Sequence, residues 1–95
     1  MPLTATQRRT LAASAHALSP AVTLAESEIS DSVAAHVRRQ FLTSELIKVR
    51  VNTRDRQIFT ALVEQLAAKV PCEIVRRIGR VAILYCPGAT ADENG

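Results

Sequence analysis

Lys48 and Arg50 stand at alternate positions of the run Glu45-Leu46-Ile47-Lys48-Val49-Arg50-Val51, with Ile47, Val49 and Val51 at the positions between. A β-strand turns successive side chains to opposite faces, so this spacing predicts one apolar, buried face and one basic face. The chemistry open to a basic sheet face is the binding of an anion. Two cations also serve simply to keep an exposed strand in water, and spacing alone leaves both roles open. Ten of the twelve Lys and Arg residues are Arg. The planar guanidinium suits phosphate better than a point charge does, although an arginine-rich, alanine-rich composition also follows from a GC-rich genome.

Other chemistry finds little support. Cys72 and Cys86 are the only thiols, without Cys-x-x-Cys spacing, and His16 and His36 lie far from them in sequence, so no zinc site is expected. Glu26, Glu28 and Asp31 are explained by a solvated loop and a helix start without a metal ion. His16 falls near the end of a predicted helix, where a structural or capping role fits it, and His36 reads as a surface residue. There is no nucleophile elbow, phosphate-binding Gly-rich loop, His-Glu-x-x-His or dinucleotide fingerprint. Enzyme activity therefore has no residue-level support, and neither a cofactor nor a small-molecule substrate is expected.

The elements that must position the cations follow from periodicity and caps. Thr4-Ala5-Thr6-Gln7 has capping-box spacing, and Leu11, Ala15 and Leu18 continue it as a helix until Pro20. On that helix Arg8 and Arg9 fall on or beside the face opposite Leu11, so both are expected in solvent. Residues 20–24 read as a short strand, and Ala25, Glu26, Ser27 and Glu28 as a connection. Ser30 is a good N-cap for a helix to Phe41 or Leu42, stapled by Ile29 against Ala34, with Val33, Val37 and Phe41 as its inner stripe. After the strand at 45–51, Thr53 is placed to cap a third helix whose Ile58, Phe59, Leu62, Val63, Leu66 and Val70 make the strongest apolar stripe of the chain. Pro71 ends it. Cys72–Ile78 and Arg80–Cys86 then read as a hairpin about Gly79, which would set the two cysteines across from one another; reduced, buried thiols are the expectation in a reducing compartment. Tyr85 is expected to pack.

Ninety-five residues suffice for one domain with a modest core. The expectation is a single compact α/β domain over residues 1–88, in the order α-β-α-β-α-β-β, with a four-stranded mixed sheet and three helices. The small, polar, acidic residues 89–95 are expected to form a flexible tail. The net charge is +3, and because Asp92 and Glu93 fall in that tail the folded part is more basic still. Such an excess fits a polyanion but is also common in ordinary domains. No export signal or membrane span is visible, so a cytoplasmic protein is expected.

Taken in order, Leu3-Thr4-x-x-Gln7-Arg8-Arg9, Ala15-His16-x-Leu18-x-Pro20, Glu45-Leu46-Ile47-Lys48-Val49, Ile78-Gly79-Arg80 and Leu84-Tyr85-x-Pro87 resemble the CRM domain of the small bacterial YhbY-type RNA-binding proteins. The resemblance implies a fold similar to the C-terminal domain of translation initiation factor three. It also implies RNA binding without catalysis, in bacteria on ribosomal RNA or the precursor of the large ribosomal subunit during assembly. It assigns RNA contacts to Arg8 and Arg9 at the start of the first helix, Lys48 and Arg50 on the basic strand, and Arg80 in the hairpin. Arg38, Arg39, Arg76 and Arg77 add to these. Family members usually carry a Gly-x-x-Gly loop between the first strand and second helix, where glycines let main-chain amides approach phosphate. Here Ala25 and Glu28 hold the glycine positions with Glu26 and Ser27 between them, which makes a poor phosphate clamp. Ser19 and Cys86 stand at two further positions that are often cationic in the family. The alternative function is a protein-interaction module on the same scaffold, with a ribosomal protein as one possible partner.

Overall fold

The computed structural model describes residues 3–25 and 29–87. The connection residues Glu26, Ser27 and Glu28, together with Gly88 and the tail expected at residues 89–95, lie outside the described residues. Seven elements follow in the expected order: α1 (Ala5–Ala15), β1 (Pro20–Leu24), α2 (Asp31–Thr43), β2 (Leu46–Val51), α3 (Arg56–Lys69), β3 (Glu73–Ile78) and β4 (Val81–Tyr85). The strands form one mixed sheet in the order β1-β2-β4-β3. β1 is parallel to β2, and β4 runs antiparallel to both β2 and β3.

The sheet is covered on both faces, unequally. On one side α2 and α3 pack Val37, Phe41, Phe59, Leu62, Val63 and Leu66 against Val22, Leu24, Ile47, Val49, Val51, Ala82 and Leu84. A fully buried side chain of this size stabilises the fold by about 1.5–3 kcal/mol relative to exposure, so this large cluster carries most of the core. On the other side only α1 lies against the sheet, where Ala15 meets Val75 and Ile83, and Leu3, Leu11, Leu46 and Tyr85 pack around them. The smaller layer leaves part of this face to solvent.

Local chemistry explains most of the element ends. Thr4 and Gln7 form the reciprocal capping box of α1, and the Ser30 side chain accepts from Val33 N at the start of α2. α1 stops at Ala15, short of Leu18, which is 38% exposed. The cap of α3 is Asp55 rather than Thr53: its carboxylate accepts from Gln57 N at 2.8 Å and Ile58 N at 3.2 Å. Thr53 is instead buried two residues earlier, and its hydroxyl accepts from Asp55 N, fixing the turn that delivers the cap. A carboxylate at this end also suits the helix dipole, which a hydroxyl does not exploit.

The hairpin turns on two residues, Gly79 and Arg80, with Ile78 opposite Val81, so its centre lies half a residue beyond Gly79. Gly79 has φ +58° and Arg80 does not have positive φ, which is the type II′ pattern that matches strand twist and asks for glycine first. Further along, the pairing changes. Arg76 is opposite Ile83 and Ile74 opposite Leu84, so Val75 is an extra residue in the edge strand. Such a bulge places two neighbouring side chains against one partner on the same face. Val75 accordingly packs with Ile83 beneath α1, and Arg76 shares that side.

Beyond the bulge the register makes Glu73 oppose Tyr85, and the next positions are Cys72 and Cys86. Both are reduced and half-buried; the Cys86 thiol donates to Pro71 O at 3.6 Å. Burial, with the neighbouring Cys86 and Glu73 adding to it, pushes the Cys72 thiol up from 9.0 to about 12. A folded-state thiol that keeps its proton where the unfolded one releases it favours the fold fully below about pH 9, and that contribution is lost as pH climbs toward about 12. Because only thiolate alkylates, Cys72 is expected to stay unmodified by iodoacetamide at pH 8.5 in native protein, and to react once the protein is unfolded in guanidinium. Peptide mass analysis reads the outcome; rapid native labelling of Cys72 would contradict its burial.

Candidate nucleic-acid interface

The sheet gathers part of the cation set and separates the rest. Lys48 pairs with Ile83, and Ile83 pairs with Arg76; Arg50 pairs with Val81, and Val81 with Ile78. Directly opposed residues share a face, so Lys48, Arg50, Arg76 and Ile78 all lie on the α1 side, together with Thr23, the partner of Arg50 on β1. Arg50 and Arg76 are exposed. Ile78 is 54% exposed, a large apolar side chain left open at the hairpin end of this basic strip, in the row of Arg50. Between the strip and α1 runs an open groove of about 430 Å³, lined by Arg9, Ala12, Ala13, His16, Arg76 and Ile78. The small side chains of Ala12 and Ala13 make its helical wall.

Lys48 has a second task. Its ammonium donates to the carbonyl of His16, the C-cap of α1, at 3.2 Å, where a cation also suits the negative end of the helix dipole. The structural role expected of His16 is thus performed by its main chain, and its exposed side chain lines the groove. Arg50 is steadied by Asn52, whose side-chain oxygen accepts from the guanidinium Nε at 3.3 Å.

At the hairpin end of the sheet the strip meets a second group. Arg80, Asn52, Arg54 and Asp55 line an open depression of about 500 Å³. The Arg56 guanidinium donates to Gly79 O and lies 4.9 Å from the centre of the Phe59 ring. The sequence pattern does not point to Arg54 and Arg56, although Arg54-Asp55-Arg56 follows the end of the basic strand after two intervening residues and its two cations bracket a cap. The same end receives the exit of β1, since Asn52 N donates to Leu24 O at 2.9 Å. The glycine-replaced connection beginning at Ala25 therefore leaves the sheet beside the cationic end; its residues Glu26, Ser27 and Glu28 lie outside the described residues.

The remaining cations point elsewhere. Arg8 is half-buried rather than solvated, because its guanidinium donates to Ile74 O and, at 3.3 Å, to Val75 O. Those carbonyls belong to the bulge on an edge strand, so Arg8 satisfies acceptors that the ladder leaves over. Arg77 lies on the opposite face from Arg76, across from Ala82, and is 3.6 Å from the Glu64 carboxylate on α3. Arg38 donates to Lys69 O, and Lys69 pairs with Asp31 at 3.3 Å, tying α2 to α3. Exposed pairs of this kind contribute under about 1 kcal/mol. Tyr85 packs with Leu3 and Leu11 beneath α1. Among the described residues no group of three or more His, Cys, Asp or Glu is placed to hold a metal ion.

Comparison with known proteins agrees with this architecture. The chain belongs to the CRS1 / YhbY (CRM) domain family, whose model matches residues 3–85. It is 30% identical over 94 residues to a protein of Pseudomonas aeruginosa named "Probable RNA-binding protein", covering 99% of this chain and 90% of that one. It is 29% identical over 89 residues to an "RNA-binding protein" of Haemophilus influenzae, covering 94% and 90%. The solution structure of a hypothetical protein from Staphylococcus aureus superposes with a TM-score of 0.76 at 28% identity, covering 87% of this chain and 86% of that one.

The division of labour between neighbouring arginines is measurable. Arg8→Ala removes a charged donor from the bulge carbonyls and is expected to lower unfolding free energy by about 1–2 kcal/mol. Arg76→Ala, on the open face, is expected to change it by less than about 0.5 kcal/mol. Urea unfolding followed by circular dichroism distinguishes them, and equal stabilities would contradict the structural role given to Arg8.

Proposed function

We propose that this chain is a non-catalytic RNA-binding protein of the cytoplasm that engages ribosomal RNA, in the large subunit or its precursor, during assembly. The observation that carries the reading is the basic strip itself: Lys48, Arg50 and Arg76 on one sheet face, Arg9 across the groove, and Arg54 and Arg80 at the hairpin end. Family membership and the names of the two bacterial relatives support RNA as the ligand. The ribosomal assignment rests on the family resemblance.

The mechanism is electrostatic. The ladder fixes the Cα spacing of the strand arginines, so only their side chains and no backbone must order when they meet phosphate. Each phosphate neutralised releases condensed counterions, so log affinity falls by about 0.7–0.9 per contact for each tenfold rise in salt. In this reading the sheet strip replaces the phosphate grip that glycines would give the connection after β1.

Fluorescence anisotropy against large-subunit ribosomal RNA fragments tests the proposal. Arg50→Ala and Arg76→Ala are each expected to weaken binding roughly three- to tenfold and to reduce the salt slope by nearly one contact. Arg38→Ala, on the α2–α3 side, should leave affinity within about twofold, as expected for a site with no phosphate contact. Absence of binding by folded protein at low salt would overturn the proposal, and in cell extracts confinement to the free-protein fractions would overturn its ribosomal part.

A further inference from the structure

We infer that the RNA taken by this face is base-paired and is held through its backbone. The inference rests on the RNA-binding reading above and extends it to the class of RNA. Sheets of the RRM and OB type that bind single strands stack successive bases on aromatic side chains, and KH-type binding of a single strand relies instead on a glycine loop, whose glycine positions here hold Ala25 and Glu28. This chain has no Trp, one Tyr and two Phe, and all three rings are engaged in packing. Phe41 and Phe59 are 2% and 1% exposed in the core on the α2–α3 side, and Tyr85, half-buried, packs with Leu3 and Leu11 against α1 opposite Leu46 and Glu73, at the end of the sheet away from the hairpin. The positions of the open face where a ring would serve are held by Thr23, Lys48, Arg50, Arg76, Ile78 and Val81. One ring borders the groove, the imidazole of His16. A single ring at a helix end cannot provide the platform of two or three bases that sheet binders use.

What the face does offer is a fixed grid of charge. Lys48 and Arg76 stand in one row with Ile83 between them, which sets their Cα atoms two strand spacings apart, about 10 Å. Arg50 is two residues further along β2, about 7 Å toward the hairpin end. A single strand can bend its phosphates onto such a grid, but it must then lose backbone freedom, a cost that base stacking helps to offset elsewhere and that on this face only charge is left to offset. A duplex arrives with its phosphates already fixed and at higher charge density. The wide, shallow minor groove of paired RNA also lets a flat surface meet the backbone without reading base edges. The exposed Ile78 is suited to contact sugar rather than to select a base.

The test uses the full chain and one labelled RNA strand of mixed sequence chosen not to fold on itself, measured by anisotropy alone and after annealing to its complement at the same ionic strength. The annealed form is expected to bind at least about tenfold more tightly, with a steeper fall in affinity as salt rises. Equal or tighter binding of the unannealed strand overturns this inference while leaving RNA binding intact. Binding of neither form, with the protein folded, overturns the proposed function and this inference together.

Discussion

One extra residue in an edge strand decides which face of the sheet each of two neighbouring arginines occupies. The bulge at Val75 sets two residues of β3 against Ile83, so that Arg76 turns to the α1 side and Arg77 to the side of α3. Uniform alternation would reverse them, because a one-residue change of register exchanges the faces of every side chain beyond it. Arg76 would then be directed to the side of α3, and Arg77 would take its place on the α1 side. The bulge has its own support: Arg8 reaches from α1 to the carbonyls of Ile74 and Val75. A charged donor on two leftover acceptors is worth only a few kcal/mol at most, yet it sits at the point where sheet register and surface charge are fixed together.

The unequal cover of the sheet leaves that α1-side face open. α2 and α3 bury one face completely enough to stabilise a domain of this size. The single helix α1 seals Ile83, Val75 and Tyr85 on the other side and leaves the strip of Lys48, Arg50, Arg76 and Ile78 beside it. Lys48 donates to the C-cap carbonyl of that helix, so one cation of the strip also ties the sheet to the groove wall. The cationic end formed by Arg54, Arg56 and Arg80 lies where β1 delivers the connection in which the family's glycines are replaced. Under the proposed function, the grip on an anion falls to side chains rather than to main-chain amides of that connection. Guanidinium groups suit this role because they bring their own charge, whereas an amide clamp depends on close approach that Ala25 and the two glutamates do not favour.

Most of the fold was legible in the sequence because its signals are local: the capping box of Thr4 and Gln7, the Ser30 cap, the apolar stripe from Phe59 to Val70, the alternation around Lys48 and the glycine of the hairpin. The misreadings arose where a choice depended on the rest of the molecule. Thr53 and Asp55 both lie within reach of the start of α3, and Thr53 is buried with its hydroxyl accepting from Asp55 N, which leaves the cap to Asp55. Arg8 looked solvated on a helical wheel, which cannot show that an edge-strand bulge 66 residues away needs a donor. The basic strand was readable, but the pairing of Arg77 with Glu64 and the gathering of Arg54 and Arg56 beside Arg80 depend on the register of a bulged hairpin, and no local pattern encodes that register.

The claim at the centre of this account is that the α1-side strip, oriented by the bulge, is the surface that meets RNA. Amide chemical-shift mapping of the full chain titrated with a ribosomal RNA fragment tests it most directly. The account predicts that the perturbed amides cluster on Thr23, Lys48–Arg50, Arg76–Val81 and the groove-facing residues Arg9, Ala12, Ala13 and His16. Perturbations confined to the α2–α3 surface around Arg38, Glu64 and Arg77, with the strip unmoved, would contradict it.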